Sequence, residues 1–411
     1  MRLLVVTQYF WPENFRINDL TAELVRRGHQ VTVLTGLPNY PDGQVFTEFR
    51  KDPHSFLKYE GVEIVRVPMT ARGRGSFRLM LNYFTFAVSA SVLGPLKMRG
   101  RDFDAIFTCQ LSPVTVGLPA AVMRFAKRVP MVFWVLDLWP NSIQAVGAVH
   151  SPFILRAIGW LVKFIYNRCD LILAQSKSFI PQIKKYTQTS KRVEYFPSWA
   201  ESIFDQKSGI FANEVPVRPE SFSVMFAGNI GDAQDFPAIL SAVETLRSHT
   251  NIRWLFLGDG RAAPWVAEQI KQRNLQDCAL MLGQYSLNRM PSFFMHADAL
   301  LVSLKDDPIF SMTIPGKLQS YLAAGIPVVA MLNGEGAEVV KKSKSGLTCN
   351  AGDSAGLAAA VLRLSEMTKN QRIGMGKNGL EASKRDFDRS MLMDKLEGWL
   401  EQIINPSRQN S

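Results

Sequence analysis

The sequence predicts an α/β protein of two doubly wound domains, each built on a sheet of parallel strands. Its 411 residues exceed what a single hydrophobic core usually supports. Short apolar runs alternate with helix-length segments, a pattern typical of parallel sheets. The alternation stops at residues 201–220, which are rich in Pro, Ser, Asp and Glu, and then resumes. We therefore expect domains at residues 1–200 and 221–387, joined by a linker at 201–220.

The first half opens with a βαβ unit. An apolar run at residues 3–6 precedes a helix that ends at Gly28, and a second run follows at residues 31–34. The loop after the first run, YFWPENFRIND, lacks the GxGxxG pattern, so a nicotinamide cofactor is not expected. Its polar residues Glu13 and Arg16 are candidates for contacting an acceptor or a phosphate, and surface decoration of the loop is an equal alternative. Further strands are predicted at residues 62–67, 105–108, 131–136 and 170–174, with a helix at 153–166.

Asp137 follows the apolar run at residues 131–136, in the sequence VLDLWP. A carboxylate at the carboxyl end of a buried strand lies where α/β enzymes place catalytic groups. A helix N-cap is the equal alternative for an Asp at this position. Asp137 is therefore a candidate catalytic residue.

Strands predicted in the second half end in loops that carry Gly or small polar residues. Gly228 and Gly231 follow one apolar run, Gly258 follows the next, and Tyr285 lies after the third. Because the carboxyl ends of parallel strands meet at one edge of a sheet, these loops should form one nucleotide-sized site. The strands concerned are predicted at residues 222–226, 254–257, 280–282 and 299–303.

Residues 313–330, TIPGKLQSYLAAGIPVVA, predict a loop, a helix, a glycine stop and a buried strand. Pro315 and Gly316 open the helix, and Gly325 ends it. A helix N-terminus offers unpaired backbone N–H groups and the positive end of its dipole to an anion. Lys317 adds a positive charge in the first turn. Alone, the pattern also fits an ordinary αβ unit, but beside the glycine loops it predicts a phosphate site.

Excess positive charge is concentrated in the first half of the chain. Residues 1–205 contain 25 Lys and Arg against 15 Asp and Glu, whereas residues 206–411 contain 22 against 21. A field of this kind favours an anionic partner, such as a lipid surface, a phosphorylated substrate or nucleic acid. The four cysteines are scattered without metal-ligand spacing, so we expect reduced thiols, a cytosolic protein and no bound metal.

One apolar segment, residues 79–96, is long enough to resemble a membrane span. Its Asn82, its Ser and Thr residues and a Gly-Pro pair make it a poor one. We favour a buried helix, and the alternative is an interfacial helix that touches a membrane. The basic residues that flank the segment are Arg72, Arg74, Arg78, Lys97, Arg99 and Arg101.

The combination of GNIG, LGDG, LGQY and PGKLQSYLAAGIPVV in the second half resembles the GT-B glycosyltransferases, in particular the large retaining family that uses nucleotide-sugar donors. The stretches QYFWPENFRINDLTAELVRRGHQVTVLTGLPNYPDG and VLDLWPNSI are similar to bacterial surface-polysaccharide members, such as O-antigen L-fucosamine transferases and colanic-acid glycosyltransferases. The resemblance covers nearly the whole chain. It implies a GT-B fold, two Rossmann-like domains facing across a cleft, with a final helix at residues 388–404 that packs back on the first domain.

The resemblance implies that a UDP-sugar donor binds the second domain and an acceptor binds the first. Gly228, Asn229 and Gly231 would lie against the diphosphate, with Gly258 in the same group of loops. Tyr285 would meet the base. The loop at residues 311–316 would offer backbone N–H groups to the phosphates or the sugar.

Two features depart from the family pattern. Many relatives carry two glutamates separated by seven residues, and counting back from Gly325 places Met312 and Ser320 at those positions. The second glutamate usually holds ribose hydroxyls, so Ser320 would make a shorter and weaker contact. The cations that relatives carry in the GNIG loop are also missing. Lys317 is the best-placed substitute and Lys305 is another, or a cation arrives from Arg16 across the cleft.

Cleavage of the donor leaves negative charge on a nucleoside diphosphate. The backbone amides of the loops at residues 229–231 and 311–316, with Lys317, are expected to stabilise this charge. Asp137 would orient or deprotonate the acceptor hydroxyl. No DxD triad occurs in the sequence, so we expect a reaction without a metal or other cofactor. The resemblance implies retention of the anomeric configuration.

The expected acceptor is a lipid-diphosphate-linked saccharide of O-antigen or capsule synthesis, because such a molecule is anionic and membrane-bound. The sugar would be, for example, an N-acetylated deoxyhexosamine. The protein would then lie in the cytoplasm, on the inner face of the plasma membrane. A nucleotide-sugar 2-epimerase of the same fold is the alternative enzyme. Nucleic acid is not an expected partner, since basic residues interleaved with aromatics in a compact patch are not evident.

Overall fold

The computed structural model describes residues 1–41, 43–73, 75–145, 149, 151–205 and 209–405. The chain forms two compact units. One consists of Met1–Pro197 and Ser390–Ser411, and the other of Ser198–Arg389. Residues 201–220, predicted as a linker, therefore belong to the second unit. Phe204, Ala212 and Val215 from this segment are buried in the core of that unit, which explains why it is not a free connection.

The first unit contains a sheet that is parallel except at one edge. Among its described residues the sheet has eight strands. The elements, in chain order, are β1 (Arg2–Thr7), α1 (Arg16–Arg26), β2 (Gln30–Thr35), α2 (Thr47–Lys51), β3 (Lys58–Tyr59), β4 (Val62–Arg66), α3 (Ser76–Lys97), β5 (Ala105–Gln110), α4 (Gly117–Lys127), β6 (Met131–Val135), α5 (Asn141–Ala145), α6 (Pro152–Tyr166), β7 (Leu171–Ala174), α7 (Phe179–Lys184) and β8 (Arg192–Tyr195). The strand order is β3-β4-β2-β1-β5-β6-β7-β8, with β3 antiparallel to β4. The order reverses between β1 and β5, where open α/β sheets bind ligands.

Three helices of the first unit form one layer. The connections through α3, α4 and α6 all step toward the β8 edge of the sheet. Because parallel crossovers are right-handed, these helices lie on the same face, and α1, which steps the other way, lies on the opposite face. Contacts of α4 with both α3 and α6 agree with this arrangement.

The apolar segment predicted at residues 79–96 forms most of α3. Phe86, Ala87 and Ala90 pack into the unit, and the buried Asn82 accepts hydrogen bonds from Gln8 and Tyr9. The favoured interpretation of a buried helix is only partly correct, because 28% of the residues in the most apolar stretch are buried. By length and composition this helix is the one candidate membrane span among the described residues. Arg74, predicted to flank it, lies outside the described residues.

The last helix, α16 (Arg389–Ile404), contacts the first unit. The Arg27 guanidinium donates to Asp394 at 2.5 Å and to Glu397 at 2.6 Å. His29 lies 2.6 Å from the same Glu397, and Trp399 packs edge-on against Phe196. An ion-pair network and an aromatic contact therefore hold the end of the chain on α1 and β8.

The second unit contains a parallel sheet. Within the described residues it has six strands. Its elements are β9 (Phe222–Ala227), α8 (Phe236–Thr245), β10 (Ile252–Leu257), α9 (Ala263–Gln272), β11 (Ala279–Gly283), α10 (Met290–Phe294), β12 (Ala299–Ser303), α11 (Pro308–Ser311), α12 (Gly316–Ala324), β13 (Val328–Met331), α13 (Gly334–Ser343), β14 (Gly346–Cys349), α14 (Ser354–Glu366) and α15 (Lys369–Asp386). The order is β11-β10-β9-β12-β13-β14, so it reverses between β9 and β12.

Alternate residues of β9 pack into two separate cores, one on each face of the sheet. Val224 and Phe226 pack on one face of the sheet, and Met225 and Ala227 pack on the other with residues of α12. The two-sided burial explains why this strand reads as a continuous apolar run. The predicted fold class, two doubly wound α/β domains, is confirmed.

Candidate active site

The loops after β9 and β10 pack closely against each other at the carboxyl edge of the second sheet. A Cβ on Gly258 would lie 1.9 Å from the carbonyl oxygen of Gly228, and one on Gly260 would lie 2.4 Å from that of Ile230. Both glycines have positive φ, +138° and +156°. Only glycine permits this approach, so both loops depend on it. The Asn229 side chain lies within the same contact, beside Gly231 and Gly260.

The loop after β12 joins this pair of loops. The N–H of Lys305 donates to the carbonyl of Ala233 at 2.9 Å, and the Ser303 hydroxyl donates to the carbonyl of Gln234 at 2.7 Å. The β9 and β12 loops flank the point where the strand order reverses. They therefore meet where a doubly wound sheet binds its ligand.

Tyr321 attaches α12 to the end of β9. Its hydroxyl accepts a hydrogen bond from the Ala227 N–H at 2.9 Å and donates one to the Ala227 carbonyl at 3.0 Å. The ring is buried, as are Leu318 and Leu322 on the same helix. This contact fixes the first turn of α12 beside the loop that begins at Gly228.

Lys317 extends from that first turn over the β9 loop. Its Nζ lies 3.7 Å from the centroid of the Phe226 ring, and a Cβ on Gly228 would lie 3.3 Å from it. The stem of the residue is partly exposed, but Nζ is buried and has no hydrogen-bond partner among the described residues. Burial lowers the pKa of this amine to about 7. The ring face compensates the charge only in part, so the amine is poised to receive an anion.

Backbone N–H groups after β9 and at the start of α12 lack partners within the described part of the chain. Among the described residues those of Asn229, Gly316 and Lys317 have no partner in the protein. The expectation that the whole 229–231 loop offers its amides needs correction. The Ile230 N–H donates to the Asp259 carbonyl, and the Gly231 N–H donates to the Gln234 side chain, because these bonds hold the loop in shape. The amides of Asn229, Gly316 and Lys317 and the Lys317 amine therefore remain for an anion.

Ser320 contacts a carboxylate that sequence reasoning missed. Its hydroxyl donates to Glu201 Oε2 at 2.6 Å. Ser320 is 7% exposed and lies one turn after Lys317 on α12. Glu201 thus brings a carboxylate to this position from a distant part of the sequence. Its place in a segment predicted as a linker gave no signal of this contact.

The remaining donor-site candidates lie at the edges of this group. Met312 is half-buried at the end of α11. Tyr285, after β11, packs its ring 4.6 Å from that of Phe293, with the Arg289 guanidinium 5.7 Å from the Tyr285 centroid. The β11 loop connects to the others because the Gly258 N–H donates to the Gly283 carbonyl. A contact of Met312 or Tyr285 with a ligand stays a prediction.

The acidic pair after β12 has other partners. Asp306 accepts from the Asn333 side chain at 2.9 Å, and Asp307 accepts from the Ile309 N–H at 2.8 Å as the N-cap of α11. The two carboxylates therefore serve separate contacts. Across the described ranges, no group of three or more His, Cys, Asp and Glu side chains is placed to hold a metal ion.

Asp137 lies at the carboxyl edge of the first sheet, in an enclosed site. Trp139 Nε1 donates to its carboxylate at 3.1 Å, and the Gln110 side chain donates to its backbone carbonyl at 2.8 Å. Tyr83 from α3 packs edge-on against Trp139. Burial raises the pKa of the Asp137 carboxyl, against the effect of its hydrogen bonds. Because α5 begins only at Asn141, Asp137 is not its N-cap residue.

Glu13 lies beneath its loop instead of on the loop surface, which corrects its prediction as a ligand contact. It is 2% exposed, and its carboxylate accepts from the N–H groups of Phe10, Asn39 and Tyr40 at 3.1, 2.7 and 2.7 Å. Burial raises its pKa to about 7. Glu13 therefore fixes the shape of two loops. Arg16 is half-buried at the start of α1, and a phosphate contact by it stays a prediction.

Two family models match the chain. Residues 14–199 match the glycosyl transferase 4-like domain, and residues 221–367 match the glycosyl transferases group 1. Together they span most of both units.

The chain is also similar to known proteins in sequence and in structure. The chain is 23% identical over 342 residues to the putative colanic acid biosynthesis glycosyl transferase WcaI of Escherichia coli K12, covering 79% of this chain and 82% of that protein. The structure of this chain is similar to that of HepE from Anabaena in complex with UDP and glucose, with a TM-score of 0.68 and 14% identity. The similarity covers 97% of this chain and 99% of HepE. The structure is also similar to that of WaaG, a glycosyltransferase involved in lipopolysaccharide biosynthesis, with a TM-score of 0.67, 13% identity, and coverage of 98% and 99%. These structural likenesses show the GT-B fold.

We predict that Lys317→Met changes how stability depends on pH. The amine has a pKa of about 7 in the folded protein, against a usual 10.5. Between these values the unfolded state binds more protons, so stability of the wild type rises with pH, whereas methionine does not titrate. The free energy of unfolding of the wild type relative to the variant should therefore rise by about 2 kcal/mol from pH 7 to pH 9, measured by urea unfolding.

Lys305→Met is the matched control, because it removes an exposed lysine from the same edge of the sheet. Its pH dependence should follow that of the wild type. If the free energy of unfolding changes with pH in the same way for the wild type and for Lys317→Met, the Lys317 amine is not buried and unpaired.

Proposed function

Because the chain belongs to the group 1 glycosyltransferases, of GT-B fold, we propose that it transfers a sugar from a UDP-linked donor to a lipid-linked saccharide in surface-polysaccharide synthesis. The observation that carries the proposal is the Lys317 amine, buried without a partner beside the β9 loop. HepE, which has the same fold, was solved with UDP and glucose. WcaI is described as a colanic acid biosynthesis glycosyl transferase, and WaaG as a glycosyltransferase of lipopolysaccharide biosynthesis.

The donor diphosphate fits the loops at the β9–β12 reversal. Breaking the bond between the sugar and the diphosphate leaves negative charge on the leaving group. The N–H groups of Asn229, Gly316 and Lys317, with the Lys317 amine, supply positive charge there. Binding a diphosphate would raise the pKa of the amine, so Lys317 takes up a proton as the donor binds. We include metal independence and retention of the anomeric configuration in the proposal.

We predict that UDP and UDP-sugars raise the melting temperature of the wild type and that Lys317→Met abolishes this effect, because a ligand that binds only the folded form stabilises it. Turnover by the variant should fall about 100-fold or more, because the variant lacks the main positive charge that stabilises the leaving diphosphate. Thermal-shift assays against UDP, GDP, TDP and their sugars, followed by donor-cleavage rates, check both. If none of these nucleotides raises the melting temperature of the wild type, or if Lys317→Met turns over normally, this site is not the donor site.

Glu201 is our candidate for the ribose. Held by Ser320, it brings a carboxylate to the helix position where family members carry one for the ribose hydroxyls. A carboxylate accepts hydrogen bonds from two adjacent hydroxyls in the way this role requires.

Glu201→Gln should therefore weaken binding of UDP about tenfold, because a neutral amide accepts weaker hydrogen bonds from the ribose. Binding of inorganic pyrophosphate should not change, since it has no ribose. Calorimetric titration with both ligands measures this difference. Ser320→Ala, which only releases the carboxylate from its support, should have a smaller effect. Equal losses for UDP and pyrophosphate would place Glu201 near the phosphates instead.

Asp137 is our candidate for the acceptor hydroxyl. It lies at the carboxyl edge of the first sheet beside Trp139, and burial raises the pKa of its carboxyl group. A carboxylate in such a site accepts a proton readily, and it can equally orient a hydroxyl by a hydrogen bond.

Asp137→Asn should lower the transfer rate about 100-fold without changing the affinity for UDP. The wild-type rate should fall as the pH decreases through the raised pKa of Asp137, because the protonated carboxyl no longer accepts a proton, and the variant should lose this dependence. Initial rates from pH 5 to pH 8 test it, with the exposed Asp102→Asn as control. A variant with the wild-type pH profile would exclude the role.

The acceptor and the location complete the proposal. The first half of the chain carries nearly all the excess positive charge, which suits an acceptor attached to a lipid diphosphate. We place the protein in the cytoplasm, peripheral on the inner face of the plasma membrane. The transferred sugar is an open choice that the donor screen decides, with an N-acetylated deoxyhexosamine among the candidates.

A further inference from the structure

The outer surface of the α3, α4 and α6 layer is unusually apolar. Of the nineteen large hydrophobic side chains that are exposed in the described residues, twelve belong to these three helices. The helices account for 48 residues of the chain. We call this surface the apolar face. Its residues are Phe77, Met80, Phe84, Val88, Val92, Leu96, Val122, Phe125, Phe153, Ile154, Trp160 and Phe164.

The contribution of α6 did not emerge from the sequence, because the helix reads as an ordinary apolar core helix. In the structure the solvent-facing side of α6 also carries large apolar side chains. Val162, Ile165 and Tyr166 pack inward, whereas Phe153 is 82% exposed and Trp160 is 71% exposed. Aromatic side chains at such exposure are costly in water unless something covers them.

The charged residues within the three helices are all basic, and Asp170, which follows α6, pairs with Arg124 of α4 at 3.0 Å. The sequences of the three helices contain six Lys and Arg and no Asp or Glu. Arg156 and Lys163 on α6 are exposed next to the aromatic side chains, and the Arg168 guanidinium lies 3.4 Å from the centroid of the Phe164 ring. Lys127 differs, because its amine donates to two backbone carbonyls within the unit.

We propose that the apolar face docks on an anionic lipid bilayer, with Phe153 and Trp160 of α6 as its aromatic anchors. Exposed aromatic and aliphatic side chains interleaved with Lys and Arg suit the boundary between acyl chains and acidic headgroups. A second copy of the chain is a poorer occupant, because two such faces would bring like charges together. The surface thus has a chemistry complementary to a bilayer and not to itself.

The proposed docking surface rests on the proposed function, because docking would serve an acceptor whose lipid chain lies in the bilayer. Helices that follow parallel strands begin at the carboxyl edge of the sheet, so Phe77 and Phe153 lie at the same edge as Asp137. An acceptor whose lipid chain remains in the bilayer would present its sugar at that edge. Docking through α6 therefore brings the acceptor hydroxyl to the candidate catalytic carboxylate.

The test is co-sedimentation of the full chain with vesicles of phosphatidylcholine alone and of an equal mixture with phosphatidylglycerol. The wild type should bind the mixed vesicles and not the neutral ones. The double variants Phe153→Ser with Trp160→Ser, and Arg156→Glu with Lys163→Glu, should each lose binding about tenfold or more. Brominated lipid should quench fluorescence of the wild type more than that of Trp160→Phe.

Matched controls lie in the second unit. Trp265→Ser with Ile373→Ser removes two exposed apolar side chains, and Lys271→Glu with Lys377→Glu reverses two exposed charges. These variants should bind vesicles as the wild type does. Every variant should keep the UDP-induced rise in melting temperature, which shows that it is folded and separates docking from donor binding.

Wild-type vesicle binding by both α6 variants would overturn the inference. The inference would also be overturned if the wild type does not bind vesicles and forms a dimer that the α6 substitutions dissociate. A second copy of the chain would then cover the apolar face. Vesicle binding that depends on α6, in a protein that transfers no sugar to a lipid-linked acceptor, would support the docking surface and contradict the proposed acceptor.

Discussion

Two hydrogen bonds between the Tyr321 hydroxyl and the backbone of Ala227 hold the candidate donor site together. They bind the first turns of α12 to the last residue of β9, so that the helix N-terminus and the glycine loop share one location. Loss of this attachment would separate the Lys317 amine from the Phe226 ring and from Gly228. The geometry of the candidate anion site therefore depends on a buried tyrosine.

The glycines have a complementary role, because they let the backbones of two loops approach as no other residue allows. With a Cβ on Gly258 or Gly260 the β10 loop would have to move away from the β9 loop. Such a movement would also displace Asn229, whose N–H is among the partnerless amides of the described residues. A buried amine and amides that lack partners within the described ranges cost stability, and an anion that accepts their hydrogen bonds would offset that cost.

Sequence patterns predicted those parts of the structure that depend on local order along the chain. The strands and their carboxyl-end loops followed from apolar runs and glycines, and the position of Lys317 in a first helical turn followed from Pro315 and Gly316. The contact between Ser320 and Glu201 did not follow, because it joins residues far apart in sequence. Glu13 was misjudged for a related reason: polarity suggested a surface group, whereas three backbone N–H groups from two loops enclose its carboxylate.

The exposure of α6 shows the same limit in the opposite direction. Its sequence, PFILRAIGWLVKFIY, is apolar around much of the helix, so periodicity cannot reveal which side faces the sheet. Only the crossover direction and the contact with α4 decide that Val162 and Ile165 point inward and Trp160 outward. The uneven charge of the chain agrees with both proposals. The candidate donor site contains backbone amides and one amine of low pKa, whereas Arg156 and Lys163 in the first unit lie beside an exposed apolar surface. Under the proposed docking, their charge would favour an acidic membrane.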